Sequence, residues 1–150
     1  KVCNELKLRV CFAGRSLKGD SYREEVELPI LKSFKYQIDY YPRDGHSTYK
    51  LCDSSNITIG DFTTSIYESF ARGNKLIAAN PSEIELYDFF IDGIWVLKKF
   101  NFSGIKDKII ELLDMSADDW NRETIIAREQ LIFNSNSVKP IDDFSKIIIK

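Results

Sequence analysis

The chain has 150 residues, 43% hydrophobic and 29% charged, with a formal net charge of −2, which describes a globular domain large enough to bury a core. The acidic balance, with a sequence pI near 5.5, excludes a general nucleic-acid or anionic-membrane surface, because such surfaces carry net positive charge. No apolar run nears the roughly 20 residues that cross a bilayer, and no signal peptide shows at the N-terminus.

The opening "KVCNELKLRV" lacks an initiator Met and reads as the inside of a helix leading into a strand, so a piece of a longer protein is expected. "LRVCFAG", Leu8 to Gly14, is a short apolar run closed by glycine, the mark of a buried strand. After the polar loop "RSLKGDS", Tyr22 to Phe34 sets Val26, Ile30, Leu31 and Phe34 at helical spacing. Pro29 predicts a kink there or a division into two pieces. "YQIDYY", Tyr36 to Tyr41, is strand-like, "PRDGHS" is a turn by composition, and "TYKLCDSS" is a short helical connector. Asn56 to Gly60 is a strand. Thr63 to Gly73 is a helix with a polar cap and a glycine stop. Lys75 to Ala79 is a strand, "NPSEIELYDFF" is irregular or briefly helical, and Gly93 to Leu97 is a strand. Ser103 is expected to cap one closing helix, with Ile105, Ile109, Leu112 and Leu113 on one face. Ser116, with Asp119 three residues on, is expected to cap a second that runs to Phe133. "NSNSVKP" is a loop, and "IDDFSKIIIK" a short terminal helix or strand.

This alternation predicts one α/β domain: a Rossmann-like, three-layer arrangement with a mostly parallel sheet of about five strands, closed by the C-terminal helices. Ligands of such sheets lie beyond the carboxyl ends of the strands. The loops there are "GRSLKGDS", "PRDGHS", "GDFTTS" and "NPSE".

In "GDFTTS", Thr63, Thr64 and Ser65 would add hydroxyls to the free N–H groups and partial positive charge of a helix start, a combination that suits phosphate. Ser65-x-x-Glu68 also reads as a capping box that needs no ligand. In "GRSLKGDS", Arg15 and Lys18 are placed to reach a phosphate, Arg15 through its two-pronged guanidinium; a solvated basic loop explains them equally. In "PRDGHS", Arg43, His46 and Ser47 decorate a turn, and His46 is either a donor, acid or base or merely exposed. The carboxylates Asp20, Asp44, Asp61, Glu68, Glu83 and Glu85 form no pair whose spacing implies acid–base work. Dinucleotide, P-loop and serine-elbow fingerprints are absent. The three cysteines, Cys3, Cys11 and Cys52, have no C-x-x-C spacing, and the single His46 cannot complete a zinc set. Buried or half-buried thiols in a reducing cytoplasm are expected, with no metal and no cofactor.

The stretch "SSNITIGDFTTSIYESFARGNKLIAAN" resembles the C-terminal, donor-binding half of GT-B glycosyltransferases through Gly60, Thr63, Thr64, Glu68, Ala71, Gly73 and Lys75. The "GDFTT" turn is also similar to the D-[YF]-S-S turn of CDP-glycerol-using polymerases. "SYREEVELPILKSF", "YYPRDGHSTYKLCDSSNITI", "YESFARGNK" and "MSADDWNRE" together resemble bacterial surface-carbohydrate biosynthesis proteins related to Kdo transferases, over roughly residues 8 to 145. Two departures stand out: Asp61-Phe62-Thr63-Thr64 replaces a frequent "DST", and Tyr41-Pro42 stands nearest to a His-Pro dipeptide that is absent.

The resemblance implies one half of a GT-B fold that binds a nucleotide-sugar, with Kdo from CMP-Kdo as one donor it brings forward. It implies that Thr63, Thr64 and Ser65 hold the donor phosphate and that Glu68 accepts from ribose hydroxyls. Arg15 would neutralise the leaving phosphate, and Arg43, His46 and Ser47 would line the nucleotide side. A missing N-terminal half-domain would bring the saccharide or lipid-linked glycan acceptor and the catalytic base. No catalytic residue is assigned, and the domain would bind donor without catalysing alone. The location implied is cytoplasmic, with the inner face of the membrane left open. The alternatives are a CDP-glycerol-type polyol-phosphate transferase domain and a non-catalytic α/β ligand-binding or structural module; among the latter, a receiver is disfavoured because "AGRS" brings no acids to the first strand end.

Overall fold

The protein is described from a computed structural model covering residues 1–44, 47–82 and 84–131. In chain order come α1 (Val2–Glu5), β1 (Cys11–Ala13), one π-helical turn (Arg23–Glu27) continuing into α2 (Leu28–Ser33), β2 (Asp39–Tyr41) and α3 (Ser47–Ser54). Then follow β3 (Thr58–Gly60), α4 (Thr64–Ala71), β4 (Leu76–Ala78), a 3-10 turn (Glu85–Tyr87), α5 (Phe102–Asp114) and α6 (Ala117–Leu131). Gly45, His46, Glu83 and the expected "NSNSVKP" loop and terminal element lie outside the described residues.

The α/β alternation holds, and the strands pair in parallel: β1 with β2, Cys11 opposite Asp39, and β3 with β4, Thr58 opposite Leu76. The sheet of about five strands does not. Among the described residues there are two separate two-stranded sheets, and Ala78 makes a single parallel bridge to Val96. Local turns consume the predicted strand residues. Lys7 stands at φ 54, and the Leu8 N–H donates to the Cys3 carbonyl at 2.8 Å, so the turn after α1 takes up the first residue of the segment expected to be strand. In "GIWVL" the Val96 N–H closes a turn on Gly93 at 3.0 Å, and the Trp95 indole donates to the Ile91 carbonyl at 2.9 Å. Only the rung around Ala78 survives, in which Ala78 N–H donates to Trp95 and Leu97 N–H donates to Ala78.

The core lies around β4, α4, α5 and α6. Helical spacing puts Ile66, Ser69 and Phe70 on one face of α4. Phe70, Leu76, Ile77 and Leu112 are fully buried. Phe70 is the hub: its ring lies 4.6 Å from Trp95, and it meets Phe89 at 5.5 Å and Trp120 at 6.1 Å edge-on, arrangements that aromatic quadrupoles favour. Burial of each large apolar side chain contributes about 1.5–3 kcal/mol. The β1–β2 sheet is thinner, with Phe12 on the surface.

Helix ends explain the remaining differences. Pro29 sits at the second position of α2, and the backbone stays helical through Glu27 and Leu28, so the segment changes from π to α winding there without the expected division into separate pieces. Ser116 caps α6 as expected, its hydroxyl accepting from the Asp119 N–H at 3.0 Å. Ser103 does not cap α5; Asn101 does, accepting from Gly104 N–H at 2.8 Å, while Ser103 donates to Asp107 inside the helix. The glycine stop of α4 is a full Schellman ending: Gly73 at φ +91 donates to Phe70, and Asn74 donates to Ser69.

Gly73→Ala is expected to cost about 1–2 kcal/mol, the penalty of holding a side chain in left-handed backbone, and the added Cβ would also meet the Arg128 guanidinium at 2.7 Å. The check is a lowered urea midpoint at unchanged slope.

Candidate functional site

The candidate site begins where β3 ends. A Cβ on Gly60 would collide with the Ile66 side chain, so glycine lets the first turn of α4 settle directly on the strand end. Thr63 is the cap residue, extended at φ −134 and ψ 147, yet its side chain makes no capping bond. Ser65 lies inside the helix, so the capping box of Ser65 and Glu68 is corrected. The N–H groups of Thr64 and Ser65, at the first helical positions, have no carbonyl partner within the helix. Thr63 and Thr64 are exposed and Ser65 is half-buried.

Glu68, one turn further on, is exposed and acts on the Tyr49 phenol of α3, raising the Tyr49 pKa above the ordinary phenol value first through its side-chain interaction and then through its charge. Below Glu68, Arg72 grips Asp53 of α3 with Nε at 3.0 Å and with a second ion-paired contact. Asn74 donates to the same carboxylate at 2.9 Å and to Ser69 at 3.2 Å. Arg72, then Asn74, hold the Asp53 carboxyl below its usual range.

The other predicted residues gather at the end of the β1–β2 sheet. The Arg15 N–H donates to Glu27 Oε1 at 2.8 Å and the Tyr40 phenol donates to Oε2 at 2.7 Å. Glu27, only 7% exposed, is thus satisfied on both oxygens and ties the loop to β2. The Arg15 guanidinium lies 5.5 Å over the Tyr22 ring. The Arg43 N–H donates to the Ser16 carbonyl at 3.1 Å. The Ser47 hydroxyl accepts from Asp44 N–H and donates to the Pro42 carbonyl, so it shapes its own turn. His46 lies outside the described residues.

The loops therefore join in two pairs. "GRSLKGDS" is bonded to "PRD" through the Arg43 N–H and the Ser16 carbonyl, and "GDFTTS" adjoins the segment after β4, with Ala79 N–H donating to Gly60 at 2.9 Å and Phe62 packing on Tyr87 at 5.5 Å. The expected convergence on one sheet edge is replaced by two edges bridged by α3 and α4. Glu27, Tyr49 and Asp53 were not singled out in sequence, because each acts through partners on another element or loop; Asn80, whose partners Ser82, Ile84 and Asp88 are close in sequence, was not singled out either. The space bounded by Gly60, Asp61, Asn80, Tyr87 and Asp88 is only about 20 Å³, room for about one water, so any ligand lies over this edge and not inside it.

Among the described residues, no three His, Cys, Asp or Glu side chains converge to hold a metal, and no helix is long and apolar enough to cross a membrane. The cysteines are free and half-buried, as expected. Compared with family models, curated proteins and solved structures, the chain finds no match.

Replacing Glu68 by Gln should return the Tyr49 pKa toward the ordinary phenol value of about 10, read by ring-carbon NMR titration. The sign follows from that interaction: stability held by the protonated phenol is present below the ordinary value and is lost as pH rises through the raised one. An unchanged Tyr49 titration in the Gln variant would contradict the assignment.

Proposed function

We propose that this chain is the donor-binding half of a GT-B-type glycosyltransferase, holding the phosphate and ribose of a nucleotide-sugar at the start of α4. The observation that carries the reading is the sequence of β3, the exposed Thr63 and Thr64, the free N–H groups of Thr64 and Ser65, and exposed Glu68 one turn on. A helix start offers N–H groups and partial positive charge to phosphate. A carboxylate one turn later rises about 5–6 Å along the axis, which suits the ribose beside it. In this role Arg15 and Arg43, on the neighbouring edge, supply positive charge toward the leaving nucleotide. The acceptor, a surface polysaccharide or lipopolysaccharide precursor, and the catalytic base belong to the second half-domain of the proposed enzyme.

One observation favours a second reading. Glu68 already has Tyr49 as a partner, which suits a non-catalytic structural or ligand-binding module in which the carboxylate serves to join α3 to α4. Titration with CMP, CDP, UDP and GDP, followed by backbone amide shifts, separates the two. The donor reading expects saturable shifts across Thr63 to Glu68 with at least one nucleotide, weakened about tenfold or more in Glu68→Ala, since a hydrogen bond to a charged group contributes about 1.5–3 kcal/mol. No shift there with any of the four would overturn it; the structural reading expects Glu68→Ala to lower stability alone.

A further inference from the structure

We propose that this chain forms a two-fold dimer in which the acidic, apolar segment after β4 of one copy packs on the basic, apolar segment before α5 of the other. From Pro81 to Asp92 the sequence "PSEIELYDFFID" carries four acids and no lysine or arginine; from Val96 to Phe102 "VLKKFNF" carries two lysines and no acid. Both segments leave large hydrophobic side chains in water. Ile84, Leu86 (74% exposed) and Phe90 (67% exposed) belong to the first, Phe100 and Phe102 to the second. At the usual size of such side chains these five expose on the order of 500 Å², near the upper end for the largest patch of a monomer. The charged residues among them bring the surface toward the roughly 800 Å² that each partner of a stable complex buries. The two segments border one open cleft of about 630 Å³, which Asp88 and Asp92 line from the first and Lys98, Lys99 and Phe100 from the second.

The charges select the occupant. Part of them is settled within the chain: Lys98 is ion-paired to Asp92, and Asp88 accepts from Asn80 at 2.7 Å. Glu85 and Lys99 are not. Both are exposed, and among the described residues neither side chain has a hydrogen bond or an ion pair. Glu85 stands beside Leu86 in the 3-10 turn, and Lys99 stands beside Phe100. Each copy thus offers one open acid next to an exposed aliphatic chain and one open base next to an exposed ring. A purely basic partner would meet Lys98 and Lys99 as like charges, and a purely acidic one would meet Glu85 and Asp88 so; like charges across an interface reject a partner. The fitting surface carries both signs beside apolar groups, and a second copy supplies it. A two-fold axis sets Glu85 against the partner's Lys99 and Lys99 against the partner's Glu85, two equivalent contacts from one operation. The dimer does not rest on the donor-site reading, and its test uses no nucleotide.

Sedimentation velocity of the full chain across the micromolar range is expected to show a reversible monomer–dimer equilibrium, because a patch of this size supports micromolar association. Glu85→Lys and Lys99→Glu should each weaken the dimer about tenfold or more, since each change places two like pairs across the axis. Mixing the two variants in equal amounts should restore a mixed dimer of about wild-type strength, because both contacts then join opposite charges again. That recovery also shows that both variants fold. Leu86→Ser should weaken the dimer without any recovery on mixing with either variant. A chain that stays monomeric at every concentration overturns the proposal. So does a dimer that neither charge reversal weakens, or a mixture of the two variants that does not associate.

Discussion

Four consecutive residues after α4 fix the positions of four helices. Arg72 grips Asp53 on α3, and Asn74 joins the same carboxylate to Ser69 of α4. Gly73 turns the chain through left-handed backbone, and its carbonyl accepts the Trp120 indole N–H of α6 at 2.9 Å. Lys75 then places its ammonium on the Leu112 and Met115 carbonyls at the end of α5, at 2.6 and 2.5 Å. The last carbonyls of a helix lack partners and carry partial negative charge, so a half-buried lysine there satisfies both at once. A glycine is favoured at the centre because the turn holds left-handed backbone at φ +91.

From this turn the rest follows. With its C-terminal end held against α6, α4 presents Ile66 and Phe70 to the core and its first turn to Gly60. The exposed face of the same helix carries Glu68 toward α3, where Tyr49 meets it. The loop before α4 is consequently tied to a rigid strand and a rigid helix, while its own hydroxyls remain in solvent. That combination, a fixed backbone with open polar groups, is what a binding loop needs. The β1–β2 end is built on another principle: buried Glu27 gathers the Arg15 N–H and the Tyr40 phenol and leaves the arginine side chain outside.

The features most legible in sequence are those whose cause is local. The stop at Gly73 and the cap at Ser116 follow from a few adjacent residues, and the parallel pairing of strands from the alternation of strand and helix along the chain. Asn101 displaced Ser103 as the cap of α5 because both residue types can cap, and only the geometry decides which meets Gly104. The five-strand sheet failed because, among the described residues, the β1–β2 pair does not join the β3–β4 pair and the turn at Gly93–Val96 leaves the fifth strand a single bridge, outcomes that depend on distant strands. The partners of Lys75 and Trp120 lie 37 to 47 residues away, beyond any periodicity. For the same reason the site residues were visible as types, hydroxyls at a helix start and an acid one turn on, whereas Tyr49 as the partner of Glu68 was not.

In the proposed role the start of α4 cradles phosphate and ribose. Its most direct measurement is a crystal structure of the chain with a bound nucleoside diphosphate. The account predicts phosphate oxygens within hydrogen-bond reach, about 2.7–3.2 Å, of the Thr64 and Ser65 N–H groups, and ribose hydroxyls on Glu68 in place of the Tyr49 phenol. A diphosphate seated elsewhere, with Glu68 making no contact to the nucleotide, would contradict it.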